Sequence, residues 1–142
     1  MNDDNNIKLG FSHVINGDMT FANLFYVKFE DNFINPNWVV STTLPKSSDN
    51  HRTIDMTFYN IKGHDTKETV FERFVNWKKQ KEYKNAEIVL LDGNGNSYTT
   101  FELHGLRPYD VYIKVNNELD YISTELLKVK VSFCYAYYIV KF

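Results

Sequence analysis

The chain has 142 residues, a formal net charge of −2, six Gly, three Pro and one cysteine, Cys134. These values suit a single domain with its own hydrophobic core, and they exclude a disulfide framework, a low-complexity chain and a concentrated basic surface for gripping nucleic acid. Eleven Phe, ten Tyr and two Trp supply large rings of the kind that fill pleated sheets and subunit interfaces.

Met1 to Asn6 is polar and acidic, without the basic start and apolar core of a signal peptide, and reads as a flexible arm. Residues 7 to 23 carry scattered apolar side chains punctuated by Gly10, Asn16 and Gly17, which predicts a loop-like extension with at most a short strand. The division expected is an arm over 1–21 and one domain over 22–142. Regular alternation starts at Leu24. Phe25, Val27 and Phe29 share one face and Tyr26, Lys28 and Glu30 the other, which is the period of a half-buried strand. Pro36 marks a turn within 32–37. Trp38 to Leu44 is rich in β-formers, and Arg52 to Tyr59 alternates again with Ile54, Met56 and Phe58 on one side.

The pattern then changes period. Asp65 followed by Glu68 has the form of a capping box, and Val70, Phe71, Phe74 and Trp77 fall on one helical face, predicting a helix over about 66–81. Glu87 to Leu91 is a short apolar run ending in Asp92-Gly93-Asn94-Gly95-Asn96, a strong hairpin signal. Ser97 to Leu103 pairs back, Gly105-Leu106-Arg107-Pro108 predicts a second turn, and Tyr109 to Val115 alternates. Thr124 to Phe142 is the longest strand candidate. Leu127, Val129, Val131, Phe133, Tyr135 and Tyr137 lie on one face, and beyond Cys134 both faces turn apolar. About seven or eight strands and one helix predict a mainly β fold, a β-sandwich or barrel with one flanking α-helix.

Catalytic and metal signatures are missing from this pattern. His13, His51, His64 and His104 show no metal-ligand spacing, and one cysteine does not complete a zinc site. Gly93-Asn94-Gly95 joins two strands with no helix after it, so it is a hairpin and not a phosphate loop. Asp92, Asn94 and Asn96 lack the glycine and terminal glutamate of a calcium loop. Cys134, within an apolar run, reads as a buried inert thiol. Lys78, Lys79, Lys81 and Lys84 read as the solvated end of a helix, with a nucleic-acid patch as the alternative. The expectation is no cofactor, no metal, no membrane insertion and no enzymatic activity, in a protein made in a reducing cytoplasm.

One order of elements is distinctive: Phe74-Val75-Asn76-Trp77 on a helix, then Ile88 to Asn96 as strand and hairpin, then Phe101-Glu102-Leu103-His104-Gly105-Leu106-Arg107-Pro108, then a long closing strand from Leu127 to Tyr135. Together with Phe25 to Phe29 and Val39 to Pro45, this order resembles the tail tube proteins of contractile-tailed phages and the related domain of their baseplate–tube junction proteins, over about residues 22–138.

The resemblance implies the tail-tube fold and homo-hexameric rings that stack into a hollow tube within a virion tail. It implies a tape-measure protein inside, a tail sheath outside, baseplate proteins at one end, and DNA passing through without specific binding. A conduit for DNA calls for an acidic or neutral lumen, and Asp55, Glu102 and Asp110 on polar strand faces are its candidates. Val129, Val131, Phe133 and Tyr135 mark the candidate inter-subunit strand, which joins or packs beneath a shared sheet; the alternative is that it fills the protomer's own core. The competing functions are a tube-initiating baseplate ring, the inner tube of a bacterial contractile injection or type VI secretion system, and, in a different class, a monomeric ligand-binding β-sandwich.

Overall fold

The computed structural model describes residues 20–46, 51–64, 67–115, 119 and 126–142. The arm read over 1–6, the loop over 46–50 beyond Lys46, the cap at Asp65 and the loop at Asn116-Asn117 lie outside the described residues. Seven strands and one helix follow in the order β1 (Thr20–Phe29), β2 (Val39–Thr42), β3 (Thr53–Tyr59), α1 (Val70–Gln80), β4 (Lys84–Asp92), β5 (Ser97–Lys114), β6 (Lys128–Cys134) and β7 (Tyr137–Lys141). Every strand pairing is antiparallel. The strand order is β1-β4-β5-β6-β3-β2, with β7 also on β5.

The sheet has two wings. One holds β1, β4, the first half of β5, and β7; the other holds β2, β3, β6 and the second half of β5. They face each other across a shared core, as in a sandwich. β1 and β2, at the two ends of the order, do not pair, so the sheet is not a closed barrel.

Period-two patterning explains the core. Val27 and Phe29 of β1, Ile54, Met56 and Phe58 of β3, and Val129, Val131 and Phe133 of β6 are all buried. Phe29 stands at the centre, its ring within 6.4 Å of Phe33, Phe58, Phe74, Trp77 and Phe133. Phe29 belongs to one wing, Phe58 and Phe133 to the other, and Phe74 and Trp77 to α1, so one aromatic cluster ties the three together.

The helix begins later than the Asp65 reading placed it. Thr69 is the N-cap, and its hydroxyl accepts from the Glu72 amide at 3.2 Å while Glu72 accepts from the Thr69 amide at 3.0 Å. Thr69-x-x-Glu72 wins because Thr69 is itself still extended and forms a β-bridge with Lys62. Val70, Phe74 and Trp77 are the buried face, as their spacing predicts, and the Trp77 indole donates to the Glu82 carbonyl at 2.9 Å.

Two other readings change. Gly105 to Pro108 is not a turn: β5 runs on through it for 18 residues, with register irregularities near Gly105 against β4 and between Pro108 and Asp110 against β6. Bulges of this kind let a strand leave one wing and enter the other. Pro108 is tolerated because no other described strand pairs with that side of β5 beyond Leu106, so its missing N–H breaks no ladder there. The long closing strand is also interrupted. β6 and β7 keep one register along β5, Cys134 opposite Arg107 and Tyr137 opposite His104, but Tyr135-Ala136 separates them. Tyr137 therefore leaves the core face and is 54 % exposed.

Candidate assembly surface

The feature that organises the surface is β5. Its first half is hydrogen-bonded on both sides, to β4 and to β7; its second half is paired only to β6. The junction is Gly105, whose φ of +67° is open to glycine and strained for other residues. A Cβ there would sit 2.9 Å from the Ala136 Cβ. The close approach lets the Ala136 amide donate to the His104 carbonyl at 2.9 Å, carrying the ladder across the break between β6 and β7.

Among the described residues, four strand edges carry no strand partner: β1, β2, β7 and the second half of β5. Exposed apolar side chains stand on three of these strands, Tyr26 on β1 among them. Tyr109, Tyr112 and Ile113 flank the bare half of β5, with Tyr109 49 % exposed, while Tyr137 and Ile139 are exposed on β7. Bare edges with exposed apolar neighbours are what a soluble sheet protein ordinarily avoids.

The outward face of the β6 wing is polar and ordered in cross-strand rows. Asp55, Ser132 and Asp110 stand side by side, and the Ser132 hydroxyl donates to Asp55 at 2.8 Å. Thr57, Lys130 and Tyr112 form the next row, and Tyr59, Lys128 and Lys114 the row after it. Two of the three lumen candidates, Asp55 and Asp110, are thus brought together, but beside Lys128 and Lys130.

Glu102 lies apart, on the outward face of the other wing, in register with Glu87 of β4 and Ile139 of β7. Lys141 of β7 donates to it at 2.7 Å and His104 lies 3.4 Å away. The His104 ring stacks on Tyr137 at 4.7 Å between centroids. The Lys141 ammonium, and secondarily His104, hold the Glu102 carboxyl below the usual carboxylate range against an opposing desolvation cost; Glu102 in turn raises Lys141. This clasp fastens β7 to β5. Beside it runs a shallow groove of about 310 Å³ between β1, β4 and β5, lined by Lys28, Glu30, Asn85, Glu87 and His104 among others.

Val129, Val131, Phe133 and Tyr135 point inward and are buried, and both edges of β6 are taken by β3 and β5. They lie under the polar face of their own wing. Cys134 is a correction: with Phe133 and Tyr135 inward, it points outward and is half-exposed, its thiol 3.8 Å from the Arg107 carbonyl. Arg107 is pushed further above its already high value by the Cys134 thiol and the Tyr83 side chain, and its guanidinium lies 5.6 Å from the Tyr83 ring centroid. Among the described residues no three His, Cys, Asp or Glu side chains gather as a metal site, and no helix is long and apolar enough to cross a membrane.

Sequence reasoning missed the Glu102–Lys141–His104–Tyr137 clasp and the convergence of Lys114 on Lys128 and Lys130. The i,i+2 spacing of Lys128 and Lys130 signalled a common face; Lys114 joins them only through the β5–β6 register.

No family model matches the chain, and no curated protein matches it in sequence. Solved structures do. A chain of the anti-feeding prophage cap, which terminates the tube of that particle, superposes with a TM-score of 0.64 over 95 % of this chain and 99 % of its own, at 11 % identity. A chain from the sheath–tube complex of the PVC extracellular contractile injection system gives 0.62 over 93 % and 97 %, at 16 % identity. Hcp1 from Flavobacterium johnsoniae gives 0.52 over 82 % and 94 %, at 8 % identity. This chain has the fold of contractile-machine tube proteins. The tail-tube fold expected from the order of elements is the fold observed, and at such identities the likeness is one of fold.

Proposed function

We propose that this protein is a structural ring subunit of the inner tube of a contractile machine, and not an enzyme. One observation carries the reading: the β6 wing is a four-stranded sheet with an unpaired edge at each end, β2 on one side and the second half of β5 on the other. Two different edges on one wing are the geometry of a head-to-tail contact, which closes into a ring when the rotation allows. Pairing β2 of one copy with β5 of the next satisfies both edges and yields a continuous cylindrical wall. Six copies per ring, and stacking of rings inside a sheath and on a baseplate, complete the proposal.

In this arrangement the polar face of the β6 wing lines the bore. Asp55 and Asp110 are then bore residues, whereas Glu102 belongs to the opposite wing. Val129, Val131, Phe133 and Tyr135 pack beneath the shared sheet and hold it at a fixed curvature. A phage tail that conducts DNA is one version. A bacterial injection machine is the second, favoured by the sources of the solved structures named above and by the lysines that share the bore face with Asp55 and Asp110.

Electron microscopy of the purified protein at rising concentration tests the reading. Rings with six-fold averages are expected, and Ile113→Lys, which plants a charge at the open end of β5, is expected to abolish them while leaving the circular dichroism spectrum unchanged. A protein that stays monomeric at every concentration would sink it.

A further inference from the structure

The rows on the β6 wing contain an electrostatic cost that the fold does not need. Lys114 and Lys128 are directly opposite each other, and Lys130 is two residues along β6 on the same face. Like charges opposed across a strand pair are destabilising. No described carboxylate pairs with any of the three. Tyr59 flanks Lys128 on the β3 side and Tyr112 flanks Lys130 on the β5 side, giving the lysines a partly apolar rim. The next row along is acidic, with Asp55 and Asp110 on either side of Ser132.

We propose that Lys114, Lys128 and Lys130 form a docking strip for an acidic polypeptide passenger, the lysines taking its carboxylates. The identity of the occupant as a passenger rests on the bore reading above; the binding itself does not. A polypeptide suits the strip better than nucleic acid. Duplex DNA carries a charge about every 1.7 Å along its axis. It would press phosphates against Asp55 and Asp110, which by strand spacing lie about 7 Å from the Lys130 row and about 13 Å from the row of Lys114 and Lys128. A polypeptide spaces its carboxylates and can turn neutral or basic groups toward the acidic row. The strip is also distinct from Lys78 and Lys79 at the end of α1, the basic run that is visible in the sequence.

Fluorescence anisotropy with a labelled oligoglutamate, at low and at raised salt, tests this on the full chain. Wild type is expected to bind, with affinity falling as salt rises. Lys114→Gln/Lys128→Gln/Lys130→Gln is expected to weaken binding roughly tenfold or more, and Lys78→Gln/Lys79→Gln to leave it unchanged. Lys128→Glu, which gives Lys114 an opposite charge, is expected to lose binding while raising Tm by roughly 1–3 °C; that rise identifies lost affinity as lost charge and not lost fold.

Tighter binding of a DNA duplex than of oligoglutamate, abolished by the same triple variant, would overturn the proposal in favour of nucleic acid. Absence of wild-type binding, or equal weakening by the α1 variant, would overturn it outright. Rings without oligoglutamate binding sink this inference and leave the assembly reading standing; binding without rings does the reverse.

Discussion

Residues 100–104 and 108–114 belong to one strand and meet different fates. The first stretch is hydrogen-bonded on both sides and carries the clasp that holds β7. The second has β6 on one side and nothing described on the other. Both reach the same hydrophobic core, through Leu103 in the first stretch and Val111 in the second, but the second is the more exposed. The further difference is in unfinished backbone pairing, and it shows that a protomer can complete its hydrophobic core while leaving its hydrogen bonding open. Those two tasks are usually treated as one, because a sheet edge and a core margin often coincide.

The comparison breaks most severely if the shared core is damaged. Phe133→Ala removes a fully buried ring within 6.1 Å of Phe29, 5.8 Å of Phe74 and 5.7 Å of Trp77. A loss of about 3–5 kcal/mol is expected in urea unfolding, with both halves of β5 losing protection together. Protection lost in one half alone would mean that the wings have separate cores.

The junction comes next. Gly105→Ala meets both a positive φ and the Ala136 methyl, and is expected to cost about 2–4 kcal/mol. Gly95→Ala at the β4–β5 hairpin has a φ of +83° but open space around it, so about 1–2 kcal/mol is expected. Adding Ala136→Gly to the Gly105 variant should bring its cost down to that of the hairpin variant. A double-mutant cycle with no coupling would show that the close approach does not matter. Smaller still is Thr69→Ala, which removes the helix cap away from the junction and is expected to cost about 1 kcal/mol without distinguishing the two halves of β5.

Local patterning carried far on the side of the core. Alternation exposed the inward residues of β1, β3 and β6, and three-four spacing found the buried face of α1, because burial is written residue by residue into which side of an element is apolar. It failed where two elements decide together. Gly105 and Pro108 carry strong turn chemistry, yet Gly105 is there to admit Ala136 and Pro108 sits on a bare edge; neither neighbour is visible from the residues themselves. Cys134 looked buried because its run is apolar, but its inward neighbours fix its parity. The order of elements revealed the fold, while the bore candidates split: Asp55 and Asp110 share a row only because β6 lies between β3 and β5, and Glu102 was separated from them by the passage of β5 into the other wing.

The smallest expected effect concerns the clasp in the first half. Glu102 has a carboxyl lowered by Lys141, so its contribution is complete above the ordinary carboxylate value of about 4.3. It is lost as pH falls through its lower folded value. Lys141 is raised, so its share is complete below the ordinary lysine value of about 10.4 and is lost as pH climbs through its higher folded value. Between those limits β7 is fastened, and acid releases it first. Hydrogen exchange, corrected for intrinsic rates, should show Tyr137–Lys141 losing protection below about pH 4 while β6 keeps its own. Lys141→Met should remove that pH dependence. Lys141 is exposed and Glu102 only partly covered, so the shift will be modest. If β7 and β6 lose protection in step at every pH, the backbone ladder alone holds β7, and the two halves of β5 differ in their hydrogen bonds but not in their charges.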